Sequence, residues 1–227
     1  MNRPASRLLL RLNAAIAGAK DAYAADCAHA ERACYLARQG EFAEASRVIA
    51  ALRKRYEPRP DAGMSAWLNL GEGLVSYFSE LGSNAYDKVL RAHALSAAAG
   101  LVPLHALAAA WLAQMSFSNL VVSLVALRAS ESLRLSEAQH HSARTRASLV
   151  VAQSLHMAGR WDLASPWYTR ARVHATADGD ELTISALMHN MVSMRLDNFR
   201  QAVLTGRGVA READLSLVGL DSSENFD

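Results

Sequence analysis

Turn signals recur along this chain in two interleaved series, each stepping by about 40 residues. One series centres near residues 40, 82, 119, 159 and 198. The other falls at 57–63 (EPRPDAG), 99–103 (AGLVP), 137–142 (EAQHHS) and 178–180 (DGD). Chance glycines would not keep two series in phase over such a length. The register restricts the chain to a row of similar two-element units, each closed by a turn of its own.

The unit at 147–180 shows what the elements are. Leu149, Ala152, Leu155 and Met157 favour one side of a helix that Gly159 can end in the left-handed conformation. Trp161, Ala164, Trp167, Tyr168 and Ala171 make a second apolar stripe, mostly at spacings of three and four. Small Ala152, Ala164 and Ala171 let the two helices approach closely. Pro166 disfavours a helix interior, so the second helix is expected to start near 162–165 or to kink. The turn itself repeats: Gly40-Glu41-Phe42-Ala43-Glu44-Ala45 matches Gly159-Arg160-Trp161-Asp162-Leu163-Ala164, and Asp197-Asn198-Phe199-Arg200-Gln201-Ala202 matches with aspartate for glycine.

The implied helices cover 5–38 (with a possible break near Gly18 or Ala24), 42–56, 64–80, 84–99, 103–117, 120–136, 142–158, 161–177, 180–195 and 199–214. Pro58 and Pro60 stop the second, and Pro103 suits a first helical turn. LVVSLVAL at 120–127 has strand-like content but runs on with helical periodicity, so it is read as helix. The most apolar unit lies mid-array, where both sides are covered. The domain layout is an N-terminal helix or cap over 1–25, a repeat domain over 26–214 and a polar tail over 215–227.

Composition excludes several classes. Half the residues are apolar and 20% charged, as in ordinary folded proteins, and abundant alanine and leucine favour helix. A net charge of +2 demands neither nucleic acid nor a membrane surface. Cys27 and Cys34 are two helical turns apart, about 10 Å, too far for a disulfide. Reduced cysteines suit a cytoplasmic protein, and the start reads as a helix rather than an export signal, so the cytoplasm is the expected location. The longest apolar run, 106–113, is far short of a membrane span.

No H-E-x-x-H, G-x-S-x-G, P-loop or paired C-x-x-C occurs, so no catalytic, cofactor-binding or metal residue is assigned. Gly71-Glu72-Gly73 and Gly206-Arg207-Gly208 read as helix-packing or helix-ending glycines. Asp178-Gly179-Asp180 reads as a turn plus helix cap. Cys27, Glu31 and Cys34 share a face but lack a fourth ligand. His140 and His141 fall in a loop. The basic cluster Arg47, Arg53, Lys54, Arg55 and Arg59 has only Tyr56 interleaved, so nucleic acid is not the expected partner.

On Ala33, Gly40, Phe42 and Ala45 in the first unit, and Ala152, Gly159, Trp161, Ala164 and Ala171 in the fourth, the chain resembles tetratricopeptide repeats. Trp67, Leu70 and Gly71 look like the opening of the second unit. The period near 40, against the usual 34, is similar to the longer-helix variants of bacterial regulators and signalling proteins. The resemblance implies an all-α superhelix, a solenoid of about five helical hairpins, whose first helices line a concave groove. If Ala33, Gly71, Ala113, Ala152 and Asn190 are equivalent, then Cys34, Glu72, Gln114, Gln153 and Met191 form a ladder along that groove, with His156 and Arg195 nearby. The expected function is a non-enzymatic scaffold that holds a protein or peptide there, with homo-oligomerisation through the last unit left open. The alternative is a regulatory domain that senses a small ligand, and its sign would be an enclosed pocket in place of an open groove.

Overall fold

The computed structural model describes residues 6–80, 82 and 84–206. Among them are ten α-helices and no strand: α1 (Arg7–Ala17), α2 (Ala22–Arg38), α3 (Phe42–Tyr56), α4 (Ala62–Glu80), α5 (Ala85–Ala98), α6 (Val102–Ser118), α7 (Val122–Leu135), α8 (His141–Met157), α9 (Trp161–Asp178) and α10 (Glu181–Thr205). No helix among these residues is long and apolar enough to cross a membrane.

Local chemistry sets the boundaries. Ser6 accepts a hydrogen bond from the Leu9 amide and opens α1, Asp21 does the same for Ala24 in α2, and Asp61 for Met64 in α4. The first predicted helix is therefore two, broken between Gly18 and Asp21. Gly40, at φ 85°, and Gly159, at φ 69°, take the left-handed turns of their hairpins. Leu120, at φ 59°, does so without glycine's freedom. α9 starts at Trp161 and continues through Pro166, so neither the later start nor a separate segment is needed.

One predicted turn does not form. α10 is continuous through Asp197-Asn198-Phe199 and ends only where Gly206 turns left-handed at φ 67°. Aspartate lacks glycine's tolerance of positive φ. Asp197 instead stays helical and lies 3.2 Å from His156 Nε2. The described residues thus hold four hairpins and a long final helix rather than five hairpins. The continuation predicted beyond 206 and the tail at 215–227 lie outside the described residues.

Each hairpin (α2–α3, α4–α5, α6–α7, α8–α9) packs on the next, and the first helices touch in order, α2 on α4, α4 on α6, α6 on α8 and α8 on α10. One apolar core runs from α2 to α6, and a second joins α8, α9 and α10. Ala113, Val125, Ala129 and Val150 form a third, smaller cluster between α6, α7 and α8. α6 is covered nearly all round, with Ala106 and Ala108 to Ala110 wholly buried. Fully buried leucines such as Leu74, Leu112 and Leu187 contribute about 1.5–3 kcal/mol each. Glycines permit close approach where the sequence implied it: a Cβ on Gly73 would come within 2.6 Å of Val89 on α5.

The chain also returns on itself. α1 packs its Leu8 and Leu12 against Tyr35 of α2 and places its first turn on the corner between α9 and α10. The Leu8 amide donates to the Gly179 carbonyl at 2.9 Å.

Candidate ligand pocket at the closing seam

Gly179 makes this junction possible. It ends α9 at φ 71°, and a Cβ there would sit 2.7 Å from Arg7 Cβ. Two buried aspartates flank it and do different work. Asp180 caps α10, accepting from the Thr183 amide and hydroxyl, and takes the Arg38 guanidinium at 2.7 Å. Burial alone would push its carboxyl up, but Arg38 and Thr183 outweigh that and hold it below its ordinary value. Asp178 receives Arg11 on Oδ1 at 2.6 Å, while its buried Oδ2 has no hydrogen-bond partner. Here burial prevails over Arg11, and the Asp178 carboxyl is pushed up.

Asp178 faces a cavity of about 220 Å³ between α1, α2, α4, α6 and the loop before α8. Arg11, Glu31, His140 and His141 supply its other polar groups, and Trp67, Leu104 and Leu107 its apolar wall. Arg144 clasps the loop by donating to the carbonyls of Ser136 and Glu137 at 2.6 and 2.7 Å, and so fixes His140. Burial pushes the Glu31 carboxyl up, with Asp178 adding to the shift and Arg11 opposing it. Burial, with Arg144 and His141 alongside, pushes His140 down. The cavity therefore brings together two carboxyls that burial pushes up and an imidazole that burial pushes down. A positively charged donor would satisfy all of these at once.

Next to it, on the face shared by α2, α6 and α8, Arg146 lies over the Trp111 ring at 4.3 Å and donates to Gln114 Oε1 at 3.3 Å. The Arg38 guanidinium stands 5.9 Å from the same ring. Burial and the neighbouring Arg38 both weigh against the Arg146 charge.

The seven residues expected to line a groove are only partly gathered here. Gln114 and Gln153 lie on α6 and α8, and Gln114 meets Arg146. Gln153 is half-buried with an unpartnered Oε1. Cys34 is 6% exposed inside the core, where burial raises its thiol well above the usual range. Glu72 points the other way, between the second helices α3 and α5, where it pairs with Arg53 and Lys88 beside an open groove of about 460 Å³. His156 contacts Tyr168, Trp161 and Asp197, so it ties α8 to α9 and α10. Met191 packs on the second core, and Arg195 lies half-buried on α10. The one-residue offset assumed between repeats does not keep a common direction, because each helix rotates to suit its own neighbours.

The pocket residues themselves carried little signal. Glu31 was noticed only beside Cys27 and Cys34, yet those three do not converge: Cys27 neighbours Tyr23 and Asp61. Arg11 belongs to no motif in the sequence, and Asp178 and His140 stand there only as turn and loop residues. The spacing of Arg7 and Arg11 on one helical face, against the acidic turn at 178–181, was the available hint. Within the basic cluster, Arg47, Arg53 and Arg55 are paired with Glu44, Glu72 and Asp26. No family model, curated protein or solved structure matches this chain.

Proposed function

We propose that the chain is a tetratricopeptide-like regulatory domain, a superhelical array of hairpins whose ends are joined over a pocket for a small cationic ligand. The observation that carries this is the pair of carboxyls, Asp178 and Glu31, that line one cavity and that burial pushes up. A primary or quaternary amine with a short apolar body matches the two carboxyls and the Trp67 wall. The site binds and does not turn over its ligand. Because Arg11, Glu31 and Asp178 come from the first helix, the second and the α9–α10 corner, occupancy strengthens closure of the array. Partner proteins then read the closed or open state.

The test is a thermal-shift panel of small amines against matched carboxylates, run on the parent and on Glu31→Gln. The expected outcome is an amine that raises the melting temperature of the parent and loses most of that effect in the variant. An unresponsive parent, or an equal response in Glu31→Gln, overturns the reading.

A second reading, a peptide-binding scaffold, is favoured by the open groove where Arg53, Glu72 and Lys88 line up beside Ile49 and Val75. Affinity capture with the parent beside a Glu72→Lys variant tests it. A partner held by the parent and lost by the folded variant supports the scaffold, and one retained by both removes Glu72 from the interface.

A further inference from the structure

Away from the seam, two imidazoles and a carboxylate converge between the second and third hairpins. His93 is on α5, His105 on α6 and Glu131 on α7. The two Nε2 atoms are 2.9 Å apart. His93 Nε2 is 3.1 Å from Glu131 Oε2, and His105 Nε2 is 3.3 Å from Oε1. The rings meet edge to face, with centroids 4.4 Å apart. We propose that these three residues form a binding site for a divalent first-row transition ion, zinc being the type case, that ties the two hairpins together.

Geometry carries the proposal. Ligand atoms held about 2.0–2.1 Å from one zinc ion are roughly 2.9 Å apart when the bonds meet at a right angle and roughly 3.3 Å apart at the tetrahedral angle. The distance between the two rings' Nε2 atoms and the distance from each to a Glu131 oxygen fall in that interval, with the two rings meeting different oxygens of the one carboxylate. The donor set also fits, since two imidazole nitrogens and one carboxylate suit zinc or ferrous iron and leave a position open for water or a further ligand. The side chains are shielded but reachable, at 12%, 16% and 19% exposure.

The protons make the same point. Two imidazole lone pairs cannot face each other at 2.9 Å, so a proton or a cation must lie between them. Arg128 donates to Glu131 at 2.9 Å and stands 3.2 Å from His93 Nε2, which makes that nitrogen an acceptor. A proton on His105 Nε2 then completes the cluster. Arg128 thus occupies the place of the ion's charge, with its own buried Nε unpartnered. Ion binding expels the proton and displaces the guanidinium, so Arg128 is a built-in competitor. The sequence spacing matches no metal motif, and three separate helices contribute one ligand each.

The experiment is titration of the tag-free, chelator-treated chain with cobalt and zinc, followed by calorimetry and by the visible spectrum of bound cobalt. One equivalent of cobalt should bind with the intensified bands of a low-coordinate site, and zinc should raise the melting temperature. His93→Ala and His105→Ala, each checked for folding by circular dichroism, should lose affinity by about tenfold or more. Glu131→Gln keeps the side-chain shape and should lose affinity likewise, which decides the matter if a histidine variant misfolds. His189→Ala, at an exposed position of α10, should bind as the parent does. Arg128→Gln should bind more tightly, which a purely hydrogen-bonded cluster has no reason to do. No stoichiometric binding by the parent, or equal binding by the folded ligand variants, overturns the proposal.

Discussion

Along α6 and α8 the packing is mostly apolar, with Ser116, Thr145 and Ser148 the buried polar exceptions. Ala109, Ala110, Ala113, Ala147 and Ala152 are all fully buried, with no polar partner to satisfy. At the α9–α10 corner the contacts are instead Arg7 to Glu181, Arg11 to Asp178 and Arg38 to Asp180. The first region joins neighbours in sequence through area and shape. The second joins residues more than a hundred positions apart through charge and hydrogen bonds. Stacked alanines tolerate solvent and sequence change nearby, provided that volume is kept. A buried ion pair is unforgiving, because losing one partner leaves the other charge without solvent or counterion.

The largest expected effect follows at the seam. Asp180→Asn leaves Arg38 facing a neutral amide at a site where both parent side chains are 10% exposed or less, and should destabilise by about 3–5 kcal/mol in urea unfolding at neutral pH. By contrast, Arg7→Ala breaks a solvent-exposed pair and should cost about 1 kcal/mol or less. Equal losses from the two variants would contradict the contrast between buried and exposed parts of the seam.

The stacked region should respond to volume. Ala152→Leu adds bulk at a fully buried position and should destabilise by about 1–3 kcal/mol. A variant as stable as the parent would mean that α8 does not approach its neighbours so closely. A smaller gain is expected in the same hairpin row. Leu120 is 70% exposed and holds φ 59°, so Leu120→Gly should relieve strain and stabilise by about 1 kcal/mol, read as a raised midpoint in urea.

The finest test separates the seam's carboxyls by pH. Glu31 has its folded-state value raised by burial, so its contribution to stability is fully present below the unfolded value near 4.5 and is lost as pH rises through the folded value. Glu31→Gln should therefore gain stability over the parent at neutral pH, and the gap should shrink as the pH falls below about 4. Asp180 runs the other way. Its folded value is lowered, so its stabilisation is present above the unfolded value near 3.8 and is lost as pH falls through the folded one. Parallel pH profiles for Glu31→Gln and Asp180→Asn would show that the two carboxyls do not occupy opposed environments.

Much of the array was legible because helices announce themselves locally. Gly40 and Gly159 mark turns, Pro58 and Pro103 bound helices, and alanines at spacings of three and four mark contact faces. The failures are equally local. Asp197 imitates the position of a turn glycine but cannot take its conformation readily, so α10 continues. The assumed groove failed differently. Cys34 and Glu72 share a repeat position on paper, yet one is in the core and the other faces α3 and α5.

The sequence by itself determined that this protein is a row of α-helices, where nearly all of them begin and end, and which faces are apolar. Helical periodicity and turn chemistry act over a few residues, so they can be read without knowing the rest of the chain. Only the tertiary structure decided that Arg11 and Glu31 meet Asp178 around a pocket, that Arg38 meets Asp180, and that His93, His105 and Glu131 converge. Those meetings join side chains of different hairpins, which packing alone brings together, so no local pattern in the sequence encodes them.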